Sequence, residues 1–539
     1  MSEQRQLDQE FDKINQQEIE QAWHQATEAA GLAEQGVQTV PPNLMNWDLK
    51  RPPKLQPGAN LTKLTAVAER KRSAWHTLGL EMYSKDRVAI VIMSGGKDSR
   101  IGGDVPKGVL DVGLLSHKSI FQLYVERVRR LQHLVQRKFK KVVFIPLYIM
   151  CNRDNKEVIE DFFRENDFFG IREQDILFFT QGDFPICDKH GKYLLTEKHR
   201  IAMNPSGNGG VFKSLVEEGM VSDMKSRGVT CLFACSIDNV LAKVGDPVFL
   251  GFCETCKADA GLKTMEKVLP EEEYGIFCSQ LHRDIFEDVD GDGKLDAVSK
   301  VKASVLEFFE MPEDLKKRRK QAGSSGMPLE LNSGNLSQYF FKVDFVKKVA
   351  QISSGKHHII PKSMPYLDTK LGHKVEPPRQ EKNARRMEMF IFDAFQLCRS
   401  VVGLQVPRTE YAVVKNAAGK DSPQTAVQAV GQLHQSWIIN AGGTFLDSKA
   451  LGFGFGSGSG GGTEGSWKWW RRSSLAKEAR APREPELDGA RRRMGLELVL
   501  GMGELVRWVW RPFRVARCRS QLAGQGQQAG CVTAASRAA

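Results

Sequence analysis

The residues best suited to chemistry lie in a glycine-rich loop that also carries two cationic side chains. Six apolar residues, Val88–Met93, predict a buried strand, and Gly95 and Gly96 follow it after a single serine. Glycines at the carboxyl end of a strand let backbone N–H groups approach a ligand closely. Arg100 and Lys107 add two positive charges that suit a triphosphate. The loop therefore predicts a nucleotide-binding site.

A carboxylate at the end of a second apolar stretch predicts a metal site. Asp238 follows the segment Thr230–Ile237, which is mostly apolar and is expected to form a buried strand. A carboxylate at that edge of the sheet suits a Mg²⁺ ion that bridges phosphates, so Asp238 is the predicted metal ligand and Mg²⁺ the predicted cofactor. The alternative is that Asp238 caps the following helix.

The segment Gly207-Asn208-Gly209 is a second candidate for ligand contact. Its glycines would place backbone against a uracil or a sugar, and the Asn208 amide can both donate and accept. The alternative is an ordinary turn at the start of a helix.

Alternating strands and helices must position these residues. The amphipathic spacing of Phe121, Tyr124, Val128, Leu131 and Val135 predicts one helix. The other expected elements are strands at Val142–Ile149 and Ile176–Thr180 and helices at Val158–Phe169 and near Val211–Lys225. Such alternation predicts an α/β fold with a mostly parallel, doubly wound sheet, Rossmann-like, whose ligands bind at the carboxyl ends of the strands.

Composition shifts divide the 539 residues into four segments. We expect a helical N-terminal lobe with a proline-rich connector over 1–84, a catalytic domain over 85–375 and a small C-terminal lobe over 376–447. A Gly/Ser linker and a basic tail occupy 448–539, and the tail is expected to be disordered because nothing in it builds a core.

The distribution of charge and of cysteines along the chain indicates which partners and which compartment to expect. The segment 448–539 carries a net charge of +9, with 16 Lys/Arg and 7 Asp/Glu, out of +12 for the whole chain. The body is nearly neutral, so nucleic acid is not an expected partner. No apolar run is long enough to span a membrane, and the ten scattered cysteines favour a reducing compartment. We expect a cytoplasmic protein, off the membrane, that is a monomer or a weak homodimer.

The glycine loop resembles the signatures of two enzyme families. Ser94-Gly-Gly-Lys-Asp-Ser99 resembles the phosphate loop of PP-loop ATP pyrophosphatases, but an apolar helix normally follows that loop. Here the residues up to Gly108 include three glycines and a proline, which no helix can contain. The whole segment, with its Pro106-Lys107, resembles the signature of sugar-nucleotide pyrophosphorylases.

Further motifs extend that second resemblance to the eukaryotic UDP-N-acetylhexosamine pyrophosphorylase family. Met203–Gly210 resembles the Pro-Asp-Gly-Asn-Gly-Gly element of that family, and other matches run in family order from about residue 75 to 447. They include Ile237-Asp-Asn239, Asp246-Pro247, Lys263, Asn332-Ser-Gly-Asn335, Phe390-Ile-Phe-Asp393 and Lys415-Asn416.

The resemblance implies a nucleotidyltransferase that makes UDP-N-acetylglucosamine and pyrophosphate from UTP and N-acetylglucosamine-1-phosphate. Arg100, Lys107 and Lys415 would be its catalytic cations. Nucleotide contacts would come from the glycine loop, Lys107, the 207–208 turn, Asp238, Gln181 at the uracil edge and Arg386, which stands where the family usually has Lys. Asn208, Glu307, Asn335 and Phe390 would contact the sugar.

Departures from the family pattern keep other functions open. Lys97-Asp98 replaces the usual Gln-Gly, Ser206 replaces an Asp, and Ala384 stands where Gly is expected. A weakly active or inactive paralogue, or a UDP-glucose or broad UDP-sugar pyrophosphorylase, is therefore an alternative. Asp288, Asp290 and Asp292 with Gly293 match half of a calcium loop, but its twelfth position is a serine, so a solvated acidic hairpin tip is expected there.

Overall fold

The computed structural model describes residues 55–58, 60–96, 101, 105–198, 200–287, 296–320, 327–351, 358–368, 371–378 and 380–443. The chain divides into two compact units, Met1–Leu433 and His434–Ala539. Several predicted features lie outside the described residues: the N-terminal helix of the first lobe, Arg100 with Lys97-Asp98, the calcium-type loop from Asp288, and the basic tail.

The described strands and helices follow one another in an α/β pattern. The strands are β1 (Leu55–Pro57), β2 (Leu61–Lys63), β3 (Val88–Met93), β4 (Leu147–Cys151), β5 (Ile176–Thr180), β6 (Asp183–Pro185), β7 (Cys187–Asp188), β8 (Leu195–Glu197), β9 (Arg200–Ile201), β10 (Met203–Pro205), β11 (Cys231–Ser236), β12 (Ala260–Glu266), β13 (Ile276–Glu287), β14 (Asp296–Leu306), β15 (Ser333–Lys342), β16 (His358–Lys362), β17 (Tyr366–Asp368), β18 (His373–Val375), β19 (Ala384–Glu388) and β20 (Val401–Val406). The α-helices are α1 (Glu69–Ser84), α2 (Ile120–Phe139), α3 (Lys156–Glu165), α4 (Val211–Glu217), α5 (Met220–Ser226), α6 (Pro247–Thr255), α7 (Glu313–Lys317), α8 (Val343–Gln351) and α9 (Pro423–Asn440).

One large sheet carries the fold. Eight of its strands lie in the order β2-β20-β12-β15-β11-β3-β4-β5, and β1, β13 and β14 extend it through antiparallel pairs. Along that path only β15 runs antiparallel to its neighbours. The predicted α/β fold with a mostly parallel sheet is confirmed. The reversal at β15 was not predicted, because a strand buried in mid-sheet has an apolar composition in either direction.

Both faces of the sheet are covered, as a doubly wound fold requires. All six residues of β3 are buried. Val88, Ile90 and Ile92 pack into one apolar core, and the alternate residues of the strand pack into a second core on the other face. A continuous apolar run is the expected sequence of such a two-sided strand. Burial of each large aliphatic side chain stabilises the fold by about 1.5–3 kcal/mol.

The helix predicted from its apolar spacing is α2. Its buried residues include the five that define the pattern. The Ser119 hydroxyl accepts a hydrogen bond from the Gln122 N–H at 3.1 Å and caps the first turn. The helix ends at Phe139 and is followed by Lys140, whose φ of 56° is left-handed.

Three predicted elements have different bounds, each for a local reason. The strand expected from Val142 begins only at Leu147, because Pro146 lacks the N–H that a strand residue donates. The helix expected to reach Phe169 ends at Glu165, and residues 167–169 have positive φ. The single helix expected near 211–225 is two helices, separated at Gly219 with φ 78°.

The segment assigned to a C-terminal lobe contributes to the central sheet. Strand β20 pairs in parallel with β12 and with β2, while β19 joins β16 and β7 in a separate small sheet. The division of the chain into four segments stays a prediction.

Among the helices that the structure describes, none has the length and apolar content needed to cross a membrane.

Candidate active site at the carboxyl edge of the sheet

The glycine loop lies at the end of β3 and is held by two side-chain amides. Gln181, which follows β5, donates from Nε2 to the Gly95 carbonyl oxygen at 2.9 Å, and Asn152, which follows β4, donates to the same oxygen at 3.0 Å. A Cβ on Gly95 would lie 2.2 Å from Gln181 Nε2, so a side chain there would displace the Gln181 amide. A Cβ on Gly96 would meet no described atom within 4 Å. Gly95 is held against the sheet and Gly96 is exposed, and the uracil contact of Gln181 stays a prediction.

Lys107 and Asp238 form an ion pair beside this loop. Lys107 begins a 3-10 turn after Pro106, and its Nζ donates to Asp238 Oδ1 at 2.7 Å. The side chains are 9% and 29% exposed, so the lysine is buried while the carboxylate is partly open. Burial opposes ionisation of Asp238, but the positive charges of Lys107 and Lys415 hold its pKa below the ordinary value. The carboxylate is therefore ionised at neutral pH.

The chain segment before Lys415 is fastened to the residues around Asp238. The Asp238 carbonyl oxygen accepts from the Val414 N–H at 3.0 Å. The Asn239 side chain donates to the Glu410 carbonyl oxygen and accepts from the Ala412 N–H, each at 2.9 Å. These bonds place Lys415 close enough to influence the charge of Asp238.

A buried lysine, Lys263, stabilises the contact between the segment before Lys415 and the residues around Asp238. Sequence analysis gave this lysine no role. Lys263 on β12 is fully buried, and its Nζ donates to Asp246 at 2.8 Å and to Glu410 at 2.6 Å. Lys243 donates to the other oxygen of Glu410 at 2.7 Å. The signal available in the sequence was a lysine directly after the apolar residues that begin this strand, since a buried lysine needs carboxylate partners.

A cavity of about 100 Å³ adjoins the ion pair and contains four of the predicted site residues. These are Asp238, Glu307, Asn335 and Lys415. The remaining lining residues are Ser236, Asn239, Glu273, Tyr274, Gly275, Leu336, Ser337, Tyr411 and Val413. The cavity joins the charged side of the site to polar groups that could bind sugar hydroxyls.

Neighbouring residues affect the pKa of one of those polar groups, Glu307, and fix the orientation of another, Asn335. Burial raises the pKa of Glu307 to about 7, and the nearby Glu310 carboxylate acts in the same direction. The Asn335 side chain donates to the Tyr339 hydroxyl at 2.7 Å and accepts from the Ser337 N–H at 3.0 Å. Glu307 thus titrates near neutral pH, while Asn335 has a fixed orientation.

The 207–210 turn packs directly against the segment that carries Phe390. Gly207 has φ 88°, and a Cβ there would lie 2.5 Å from the Met389 carbonyl oxygen. The Gly209 N–H donates to that oxygen at 2.9 Å, and Asn208 Oδ1 accepts from the Ile391 N–H at 2.9 Å. The Asn208 oxygen is therefore used within the protein, and the structure brings the turn and Phe390 together.

Arg386 lies on β19, outside the cavity lining. It donates to Asn204 Oδ1 at 3.3 Å and pairs with Glu388 on the same strand. The contact of Arg386 with the nucleotide stays a prediction.

No cluster of three or more His, Cys, Asp or Glu side chains that could hold a metal ion occurs among the residues that the structure describes.

The chain is similar in sequence and in fold to known proteins. The chain is 34% identical over 382 residues to UDP-N-acetylhexosamine pyrophosphorylase-like protein 1 of Homo sapiens, covering 70% of each chain. It is 32% identical over 399 residues to the UDP-N-acetylglucosamine pyrophosphorylase of Saccharomyces cerevisiae, covering 72% of this chain and 78% of the yeast protein. It matches the crystal structure of the Trypanosoma brucei uridine diphosphate N-acetylglucosamine pyrophosphorylase in complex with inhibitor, with a TM-score of 0.61, 26% identity and coverage of 72% and 74%.

The glycine loop resembles the signatures of two families, and these matches support the sugar-nucleotide pyrophosphorylases and not the ATP pyrophosphatases. Residues 32–425 match the family described as UTP–glucose-1-phosphate uridylyltransferase, which is well over half of the chain. The chain belongs to the UTP–glucose-1-phosphate uridylyltransferase family.

Proposed function

We propose that this chain transfers the uridylyl group of UTP to N-acetylglucosamine-1-phosphate, forming UDP-N-acetylglucosamine and pyrophosphate. The observation that carries the proposal is the shared cavity, which joins Asp238 and Lys415 on one side to Glu307 and Asn335 on the other. The relatives from Homo sapiens and Saccharomyces cerevisiae bear names of N-acetylhexosamine and N-acetylglucosamine pyrophosphorylases, which supports the choice of sugar.

In this reaction a phosphate oxygen of the sugar-1-phosphate attacks the α-phosphorus of UTP, and the bond to pyrophosphate breaks. Such a displacement needs positioning and charge neutralisation more than covalent catalysis by the protein. Gly95 and Gly96 would present backbone N–H groups to the nucleotide. Lys107 and Lys415 approach Asp238 from two chain segments and would balance negative charge on the phosphates.

The residues present fit a Mg²⁺ ion that shares its ligands with the substrate. Mg²⁺ usually keeps several waters and takes one or two carboxylates together with phosphate oxygens. Asp238 offers one ionised, partly exposed carboxylate at the cavity and would hold the ion. When bound, Mg²⁺ supplies positive charge to the phosphate oxygens.

The sugar side of the cavity supports recognition by hydrogen bonding. An ionised Glu307 would accept from sugar hydroxyls, and Asn335 lines the same space in a fixed orientation. We also expect some activity on N-acetylgalactosamine-1-phosphate, because that sugar differs only in the orientation of its C4 hydroxyl. The buried thiols of Cys231, Cys235 and Cys253 support a reducing compartment, and we propose the cytoplasm.

Pyrophosphate release by the full-length chain tests the proposal. Each of UTP, ATP, GTP and CTP is paired with N-acetylglucosamine-1-phosphate, N-acetylgalactosamine-1-phosphate and glucose-1-phosphate, with and without Mg²⁺. The proposal expects the highest kcat/KM for UTP with N-acetylglucosamine-1-phosphate. A preference for glucose-1-phosphate would make this a UDP-glucose pyrophosphorylase. Saturable UTP binding without turnover of any pair would make it an inactive paralogue.

A further inference from the structure

We propose that His358 is a positioning residue for the sugar-1-phosphate side of the site. It holds the segment after β14, which carries Glu307, against the segment after β19, which carries Phe390. This inference rests on the proposed function and concerns how that site is kept in shape. Sequence analysis gave His358 no role.

His358 begins β16 and is clamped between two carboxylates. Its side chain is fully buried. Nδ1 forms a hydrogen bond with Glu310 Oε1, and Nε2 lies 3.0 Å from Asp393 Oδ2. The ring also packs against Phe390, with ring centroids 4.4 Å apart. Three chain segments that are distant in sequence therefore meet at one imidazole.

With Glu310 and Asp393 ionised, the hydrogen-bonding pattern requires a charged imidazole. A carboxylate only accepts hydrogen bonds, whereas a neutral imidazole has a single N–H. Since both ring nitrogens face a carboxylate oxygen, both must donate, and the ring is an imidazolium. Burial opposes this charge, but Asp393 and Glu310 outweigh it and raise the pKa of His358 to about 9.

Each carboxylate leads to a predicted sugar-binding residue within one turn of chain. The Glu310 N–H donates to the Glu307 carbonyl oxygen at 3.0 Å. On the other side, Asp393 Oδ2 accepts from the Phe390 N–H at 3.0 Å. The next N–H in that segment, that of Ile391, donates to Asn208. Loss of the imidazolium would leave the partly buried carboxylates of Glu310 and Asp393 without their shared cation and would separate these segments.

His358 also influences the pKa of Glu307, which burial raises. The groups that face Glu307 are Glu310 and Asp393, which raise its pKa, and Lys415 and His358, which lower it. Burial raises the pKa of Glu388, and the charges of Arg386, Lys362 and His358 oppose that rise. Removal of the imidazolium would therefore raise the pKa of Glu307 above 7. Because the ionised form would accept from the sugar, sugar affinity should improve as pH rises through that pKa.

The test compares full-length His358→Gln with the unaltered chain in initial-rate assays from pH 6 to 9. We expect the KM for N-acetylglucosamine-1-phosphate to rise about tenfold, with the KM for UTP unchanged. The inflection in kcat/KM for the sugar substrate should move to higher pH. His117→Gln is the matched control, since that imidazole also pairs with a carboxylate but is 81% exposed. It should change neither quantity.

Glu310→Gln is the second variant, and it tests the charge argument even if His358→Gln does not fold. A glutamine oxygen can still accept from His358 Nδ1, while the anion that raises the pKa of Glu307 is removed. The inflection should therefore move to lower pH, opposite to the effect of His358→Gln.

The outcomes separate this inference from the proposed function. An unaltered chain with no uridylyl transfer overturns the proposed function and this inference with it. An active chain whose His358→Gln variant keeps the sugar KM and the pH inflection overturns the positioning role alone. If the histidine variant does not fold, an unchanged pH inflection of kcat/KM in Glu310→Gln likewise overturns the positioning role alone.

Discussion

Lys107 and Asp238 are 131 residues apart in the chain, yet their side chains meet at 2.7 Å beside the glycine loop. The contact follows from topology, because β3 and β11 are adjacent parallel strands whose carboxyl ends meet at one edge. The pair keeps a cation and an anion in place where a triphosphate would bind. Burial raises the pKa of Asp238 and the charge of Lys107 lowers it, so a change at Lys107 also alters the ionisation of that carboxyl.

Lys107→Ala tests the cation. We expect kcat/KM for UTP to fall by about 10²–10³, as for loss of one preorganised charge, with the Tm changed little. The assay is pyrophosphate release together with thermal unfolding. Lys141→Ala is the control, since that lysine pairs with Asp86 at 2.6 Å in an exposed ion pair. An equal loss of activity in both variants would contradict a specific role for Lys107.

Asp238→Asn tests the anion at nearly constant shape. The variant removes the hard anionic oxygen proposed to hold Mg²⁺, so the Mg²⁺ concentration for half-maximal rate should rise about tenfold or more. A titration of rate against Mg²⁺ measures this directly. An unchanged Mg²⁺ requirement with a lowered kcat would show that Asp238 acts by holding Lys107 and not by holding the metal.

The 207–210 turn shows what a short element contributes to the site. The Gly209 N–H donates to the Met389 carbonyl oxygen, and the Asn208 side chain accepts from the Ile391 N–H. A Cβ on Gly207 would lie 2.5 Å from the same Met389 oxygen, which leaves no space for a side chain. Ser206 in the same turn is buried, and its hydroxyl has no hydrogen-bond partner among the described residues. The turn is therefore fixed by hydrogen bonds that do not involve the Ser206 side chain.

Gly207→Ala and Gly219→Ala separate steric contact from backbone strain. Both glycines have positive φ, but a Cβ would collide with the Met389 carbonyl oxygen at Gly207 and would meet no described atom within 4 Å at Gly219. We expect Gly219→Ala to lower the free energy of unfolding by about 1 kcal/mol. Gly207→Ala should cost more and should also raise the KM for the sugar-1-phosphate. Equal costs, measured by denaturant unfolding, would contradict the steric argument.

Elements with a strong apolar pattern could be predicted from sequence, while their ends could not. The α2 helix and the β3 strand were predicted because burial on one face or two leaves a clear period. The strand that begins at Leu147 and the helix break at Gly219 depend on single residues, a proline and a glycine, inside otherwise regular patterns. A local interruption of that kind has little effect on a periodicity and is easily missed.

At the scale of the whole molecule, Lys263 joins segments that no local pattern relates. It binds Asp246 at the start of α6 and Glu410 after β20, 147 residues away along the chain. His358 is similar, since Glu310 and Asp393 are 48 and 35 residues from it. The individual predicted site residues could be named from the family resemblance, but these buried networks could not, because they exist only through the tertiary fold.

Lys263→Met tests whether this network stabilises the fold and the site together. The variant leaves the Asp246 and Glu410 carboxylates buried without their shared cation, and the free energy of unfolding should fall by about 3–5 kcal/mol. Lys85→Met removes an exposed pair with Glu81 and should cost less than about 1 kcal/mol. Because Glu410 holds Asn239 beside Asp238, kcat should also fall in the buried variant. Full stability of Lys263→Met in denaturant unfolding would show that the buried charges are replaceable by apolar packing.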